Sequence, residues 1–155
     1  TGSRGDLELR VFFESQQNSN HCRLHAINNA LGRKALSLKK FWGYCDKYDM
    51  THHTQGSREF FLVHDEGDNL LSFILNELNL QTTYLFDKTI TDDILETSFA
   101  FLCFSDEHVW AMRKEKDSWF VLDSLEDKPK QTNPIKNGGM SWVNYIAIHK
   151  PGHQL

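Results

Sequence analysis

Cys22, His108 and Asp123 are residue types that can activate a nucleophile together, and each falls in a stretch whose pattern places it on a regular element. Cys22 opens the run Cys22-Arg23-Leu24-His25-Ala26-Ile27-Asn28-Asn29-Ala30-Leu31-Gly32. Leu24, Ile27, Ala30 and Leu31 recur along it at helical spacing, and Gly32 is placed to stop it. The pattern predicts a helix over Cys22 to Leu31 with the cysteine in its first turn. Unsatisfied amides and the positive end of the helix dipole gather there and favour a thiolate over a thiol. The competing reading of Cys22 alone is a buried structural cysteine.

Two β-type runs, His108 to Arg113 and Ser118 to Asp123, flank the polar stretch Lys114-Glu115-Lys116-Asp117 and predict a hairpin. With the turn centred on Glu115 and Lys116, the antiparallel register sets His108 directly across from Asp123 on one face, their Cβ atoms roughly 5 Å apart. The carboxylate can then hold the imidazole in the tautomer that offers its other nitrogen to a thiol, and can stabilise the imidazolium that forms. The alternative is a strand-end histidine beside a solvated turn aspartate. His52 and His53 lie in a polar stretch, and spacing identifies no partner for His64, His149 or His153.

Those residues need a scaffold, and the rest of the chain supplies an α+β one. Leu7 to Phe13 suits an edge strand. Helices are predicted at Cys22 to Leu31, at Ser37 to Asp49 with Ser37 as cap, and at Asp68 to Leu78 with Asp68 as cap. Strands follow near Gln81 to Phe86, Phe99 to Phe104, His108 to Arg113, Ser118 to Asp123 and Trp142 to His149. Helices first and antiparallel strands afterwards put the nucleophile on the helical half and its base on the sheet, with a cleft at their junction. Asp49 to Gly67 and Glu126 to Met140 read as loops, the first a candidate substrate-contacting region, with a turn at Asn137-Gly138-Gly139. Residues 1 to 6 read as a cloning remnant or a disordered N-terminus, 7 to 150 as one domain and 151 to 155 as a tail.

Composition narrows the function classes. The chain has 155 residues, 39% hydrophobic and 25% charged, which suits a single core. Its net charge of -4 offers no general attraction for nucleic acid or anionic membrane. No apolar run is long enough to span a bilayer, and no signal-peptide pattern is present. Three cysteines, Cys22, Cys45 and Cys103, make an odd count without paired spacing, so a reducing, intracellular setting is expected. Cys45 and Cys103 fall within apolar patterns and read as core. Cys22-x-x-His25 has no second half that would close a zinc site.

The run Gln17-Asn18-Ser19-Asn20-His21-Cys22-Arg23-Leu24-His25-Ala26-Ile27-Asn28-Asn29-Ala30-Leu31 resembles the start of the Josephin domain. Glu107-His108-Val109-Trp110 and Ser118-Trp119-Phe120-Val121-Leu122-Asp123-Ser124-Leu125 are similar to the family's histidine strand and third-residue strand. A weaker likeness lies at Gly67 to Leu75. The resemblance implies a papain-like cysteine protease, its helical half packed on an antiparallel sheet, that cleaves after the C-terminal glycine of ubiquitin. Cys22 would be the nucleophile, His108 the general base and acid, and Asp123 the orienting residue. Gln17 would donate its side-chain amide to the oxyanion beside the Cys22 backbone amide.

The same resemblance implies a monomer acting on ubiquitin or polyubiquitin chains in cytoplasm or nucleus, with no metal or organic cofactor. Family members often carry asparagine where this chain has Asp123; aspartate does the same orienting work and favours charged His108 more strongly. The stretch between the Cys22 and Asp68 helices is short for the family's protruding helical arm. Two other readings stay open: a protease of the same chemistry, perhaps from a pathogen, acting on a polyprotein or another ubiquitin-like modifier, and a catalytically silent ubiquitin-binding module.

Overall fold

The run Phe99-Ala-Phe-Leu-Cys-Phe104 is apolar at successive positions, a pattern that belongs to a strand covered on both faces. In a computed structural model of the chain it is a central strand of a six-stranded antiparallel sheet. The structure describes residues 11–15, 21–53, 55–58, 65–85, 90–105, 108–134 and 143–151, without the side chains of 65–69. Its elements are α1 (Cys22–Leu31), α2 (Leu38–His52), α3 (Asp65–Glu77), β1 (Thr82–Leu85), α4 (Asp92–Thr97), β2 (Ser98–Phe104), β3 (Val109–Glu115), β4 (Ser118–Leu122), β5 (Lys130–Thr132) and β6 (Asn144–His149). The strands lie in the order β1-β6-β2-β3-β4-β5.

Alternation along the strands divides the core. Ala100, Leu102 and Phe104 of β2, with Ala111, Leu122, Ile146 and Ile148, pack under Ile27 of α1, Phe41 of α2 and Leu70, Leu71, Ile74 and Leu75 of α3. Phe101, Cys103, Met112, Trp119, Tyr145 and Ala147 form the opposite face, covered by Ile90 and by Ile94 and Leu95 of α4. Each large side chain buried this way contributes about 1.5–3 kcal/mol. Cys45 and Cys103 are both fully buried, and all three cysteines are free thiols.

The α+β order of elements and the antiparallel sheet agree with the sequence pattern, and the differences are local. Ser37 caps α2 by accepting from the Lys40 amide, but the helix continues past Asp49 to His52, and His53 closes it with φ 58. Helix α3 begins at Asp65, so Asp68 lies within its first turn and is not its cap. Of the expected edge strand, Val11 to Phe13 are described and form none, and Leu7 to Arg10 lie outside the described residues; Asn29 of α1 bonds the amide and carbonyl of Glu14, and Arg113 of β3 the carbonyl of Phe12. Helix α4 is too short for helical periodicity to register, and the three-residue β5 falls in a stretch whose polar residues read as loop. The Asn137-Gly138-Gly139 turn and His64 and His153 lie outside the described residues.

The hairpin register also differs from the sequence expectation. Strands β3 and β4 pair Glu115 with Ser118 and Ala111 with Leu122, so the turn is Lys116-Asp117, with Lys116 at φ 56. Continued outward, this register sets Trp110, not His108, across from Asp123. Moving the turn by one residue shifts each pairing by two, and a shift of two keeps a side chain on its own face. His108 and Asp123 therefore remain on one face as diagonal neighbours.

Candidate active site

Helix α1 starts at Cys22, and the side chain of its cap residue, His21, makes no capping hydrogen bond. Cys22 is 3% exposed and faces the entrance to β3. There the His108 ring and the Val109 backbone amide act on its sulfur and lower the thiol's pKa. The His108 backbone is fixed independently, because its carbonyl accepts from the Ser105 amide at 3.0 Å and closes the loop from β2.

On its other side the His108 ring meets Asp123, with Nε2 2.7 Å from Oδ1. That contact leaves Nδ1 to serve the thiol. The Leu125 amide donates to the same Oδ1 at 3.0 Å, so the carboxylate is held from two directions. The Trp110 indole lies nearly parallel to the imidazole, with centroids 5.7 Å apart and 17° between planes.

The electrostatics follow from these contacts. Burial pushes the Cys22 thiol up, but the His108 hydrogen bond, the Val109 amide and the nearby positive charges of His108 and Arg23 outweigh it and hold the thiol below its ordinary value. Burial likewise opposes charge on His108, yet Asp123 and then Cys22 raise it to about 9. Asp123 is pushed up by burial and pulled down more strongly by His108, the Leu125 amide and Lys130, for a net lowering. The arrangement favours a thiolate beside an imidazolium backed by a carboxylate, and such a thiolate can attack a carbonyl carbon.

Of the four residues singled out from the sequence, the structure brings Cys22, His108 and Asp123 together, and Gln17 lies outside the described residues. His25 is engaged elsewhere: its Nδ1 sits 2.8 Å from Glu14 Oε1. His149 is buried against the hydroxyls of Thr83 and Thr97.

Sequence reasoning missed two buried arginines. Arg23 donates to the carbonyls of Ser57 and Arg58 at 2.9 and 3.0 Å and lies over the Phe41 ring. Arg113 donates to the Asn29 and Phe12 carbonyls and to Glu115. It also missed the adjacent amides of Asn28 and Asn29, which clamp Leu36 and Glu14 respectively. The available signal was two asparagines beside the apolar stripe of a short helix, where buried polar groups must find partners.

The sequence profile of the Josephin family matches residues 17–137, well over half of the chain and inclusive of Cys22, His108 and Asp123. The chain belongs to the Josephin family. No curated protein sequence matches it. Membership implies a papain-like fold and relates this Josephin domain to deubiquitinase-type cysteine proteases and to ubiquitin binding in general. Among the described residues no helix is long and apolar enough to cross a membrane.

Proposed function

We propose that this Josephin domain is a deubiquitinating thiol hydrolase that cleaves the bond after the C-terminal glycine of ubiquitin. The observation that carries the reading is that His108 is hydrogen-bonded to Asp123 at 2.7 Å while it and the Cys22 thiol shift each other toward imidazolium and thiolate. The Cys22 thiolate attacks the glycine carbonyl carbon, forming a C–S bond while the carbonyl π pair moves to oxygen. Gln17 and the Cys22 backbone amide donate to that oxyanion. Imidazolium His108 passes its proton to the departing amine, the C–N bond breaks, and a thioester remains on Cys22. His108, now neutral, takes a proton from water as the hydroxide adds to the thioester carbonyl. Collapse releases the carboxylic acid, which gives its remaining proton to solvent, and the Cys22 thiolate, which His108, holding the proton taken from water, again faces as imidazolium. Asp123 keeps the ring oriented throughout and lowers the cost of its charge.

Three cysteines, an odd count without paired spacing, make a reducing, intracellular setting part of this proposal. The test is turnover of a ubiquitin fluorogenic substrate, with labelling by a ubiquitin electrophile. Wild type turns over and is labelled at Cys22, and Cys22→Ala does neither. Labelling by a probe built on another ubiquitin-like modifier, with none by ubiquitin, would reject ubiquitin as the substrate, and binding of ubiquitin chains without hydrolysis would reject the enzyme.

A further inference from the structure

The proposed triad is distributed over three elements, with Cys22 on α1, His108 at the entrance to β3 and Asp123 just past β4. Most of the chain's length separates the first from the other two. One short irregular segment, Val11 to Ser15, is bonded to all three supports. The Phe12 carbonyl accepts from Arg113 Nη2 of β3 at 3.1 Å. The Glu14 amide donates to Asn29 Oδ1 of α1 at 2.6 Å, and Asn29 Nδ2 donates back to the Glu14 carbonyl at 3.0 Å. Ser15 Oγ donates to the carbonyl of Ser124, the residue after Asp123, at 3.2 Å. Beneath the segment, Arg113 Nη1 donates to the Asn29 backbone carbonyl and ties α1 directly to β3.

Resting on the hydrolase reading, we infer that Val11–Ser15 is a strap that holds Asp123 in line with His108 and Cys22, with Ser15, Asn29 and Arg113 as its positioning residues. Burying an amide and a guanidinium is costly, and apolar packing alone could join these elements. What directional bonds add is register. The paired Asn29 bonds fix both backbone groups of Glu14, so a small slide along α1 breaks at least one of them. The fixed strap then delivers Ser15 to Ser124, inside the turn in which the Leu125 amide holds the Asp123 carboxylate. Rotation of that turn would swing the carboxylate off the imidazole.

The test uses the full chain carrying Ser15→Ala, which removes one half-buried hydroxyl, or Asn29→Asp, which retains the acceptor for the Glu14 amide and loses the donor to its carbonyl. The main readout is the rate of Cys22 alkylation by iodoacetamide between about pH 5 and about pH 10, which reports the coupled thiol and imidazole. The groups acting on His108 are Cys22 from α1, Asp123 past β4 and the Trp110 ring, with Arg23 acting on Cys22 and Lys130 of β5 on Asp123. The charged groups of the strap are the Arg113 guanidinium and the Glu14 carboxylate, the latter bonded to His25 and Asn28 of α1, and neither acts on Cys22 or His108. In both variants the alkaline limb moves to lower pH, and ubiquitin turnover falls roughly threefold to tenfold for Ser15→Ala and more for Asn29→Asp, at unchanged KM. Added to Asp123→Ala, Ser15→Ala has no further effect.

A lowered melting temperature with an unmoved alkylation profile in both variants would make the strap merely structural and overturn the inference. Full additivity with Asp123→Ala would overturn it as well. Either result leaves the hydrolase reading standing. A wild type whose Cys22 titrates as an ordinary thiol, with no alkaline limb, would sink that reading and the strap's role with it.

Discussion

Removing the Asp123 carboxylate tests the electrostatic core of the site. The His108 ring is 16% exposed and the carboxylate 23%, so the 2.7 Å contact between them is shielded but not dry. His108 is held at about 9 against an ordinary 6.5, a preference for the imidazolium worth roughly 3 kcal/mol. Burial works against that preference; Asp123 is the stronger of the two groups that create it and Cys22 the other. If Asp123 supplies half or more, Asp123→Ala lowers the alkaline limb of Cys22 alkylation by about one pH unit or more. Asp123→Asn keeps an acceptor for Nε2 without the charge and falls between the variant and wild type. Turnover drops on the order of 100-fold in Asp123→Ala, because the ring also loses its orientation, and less in Asp123→Asn.

Stability should follow the same pair with a definite sign. His108 has a raised value in the folded protein, so its contribution is complete below 6.5 and is lost as the pH rises through about 9. Asp123 has a lowered one, so its contribution is present above 3.8 and is lost as the pH falls through its folded value. The melting deficit of Asp123→Ala is therefore largest between those limits and closes on either side. An alkaline limb unmoved in both variants, or a deficit that does not vary with pH, would refute the reasoning.

Further outcomes follow from single contacts. Gly32→Ala costs about 1–2 kcal/mol in denaturant melts, because position 32 has φ 73 and a Cβ there would lie 3.1 Å from Arg113 Nε. Trp110→Ala relieves part of the burial that opposes charge on the imidazole and raises the alkaline limb of alkylation, whereas Trp110→Phe largely keeps it at its wild-type position. Gln17→Ala lowers kcat by about 100-fold to 1000-fold with KM little changed, as expected for a donor that acts on the oxyanion alone.

The sequence exposes those features whose physics is periodic or local. Leu24, Ile27 and Ala30 outline α1, and the doubly apolar run at β2 marks the sheet centre, because each pattern repeats over several residues. Turn position is harder to read. Glu115-Lys116 and Lys116-Asp117 are equally polar, and neither holds the glycine or asparagine that usually fixes a two-residue hairpin. The pairing of His108 and Asp123 tolerates that ambiguity because it depends on facial parity, which a two-residue shift preserves. Contacts such as Arg113 with Phe12 leave no periodic trace, since they join positions far apart through one side chain.

The thiol of Cys22 shows why position on a helix is not sufficient to activate a nucleophile. Its first-turn site supplies a favourable dipole, but the helix also packs against the sheet, and the resulting burial raises the thiol more than any single neighbour lowers it. Net depression arises only when His108 and the Val109 amide are added, and both lie at the entrance to β3. The charge on His108 depends in turn on Asp123, whose strand is joined to β3 by the Lys116-Asp117 turn. The lowered thiol of Cys22 is therefore a tertiary property: α1 docked without the imidazole would carry a thiol raised by burial. Burial, adverse to a thiolate by itself, is offset here by groups that the sheet brings to the start of α1.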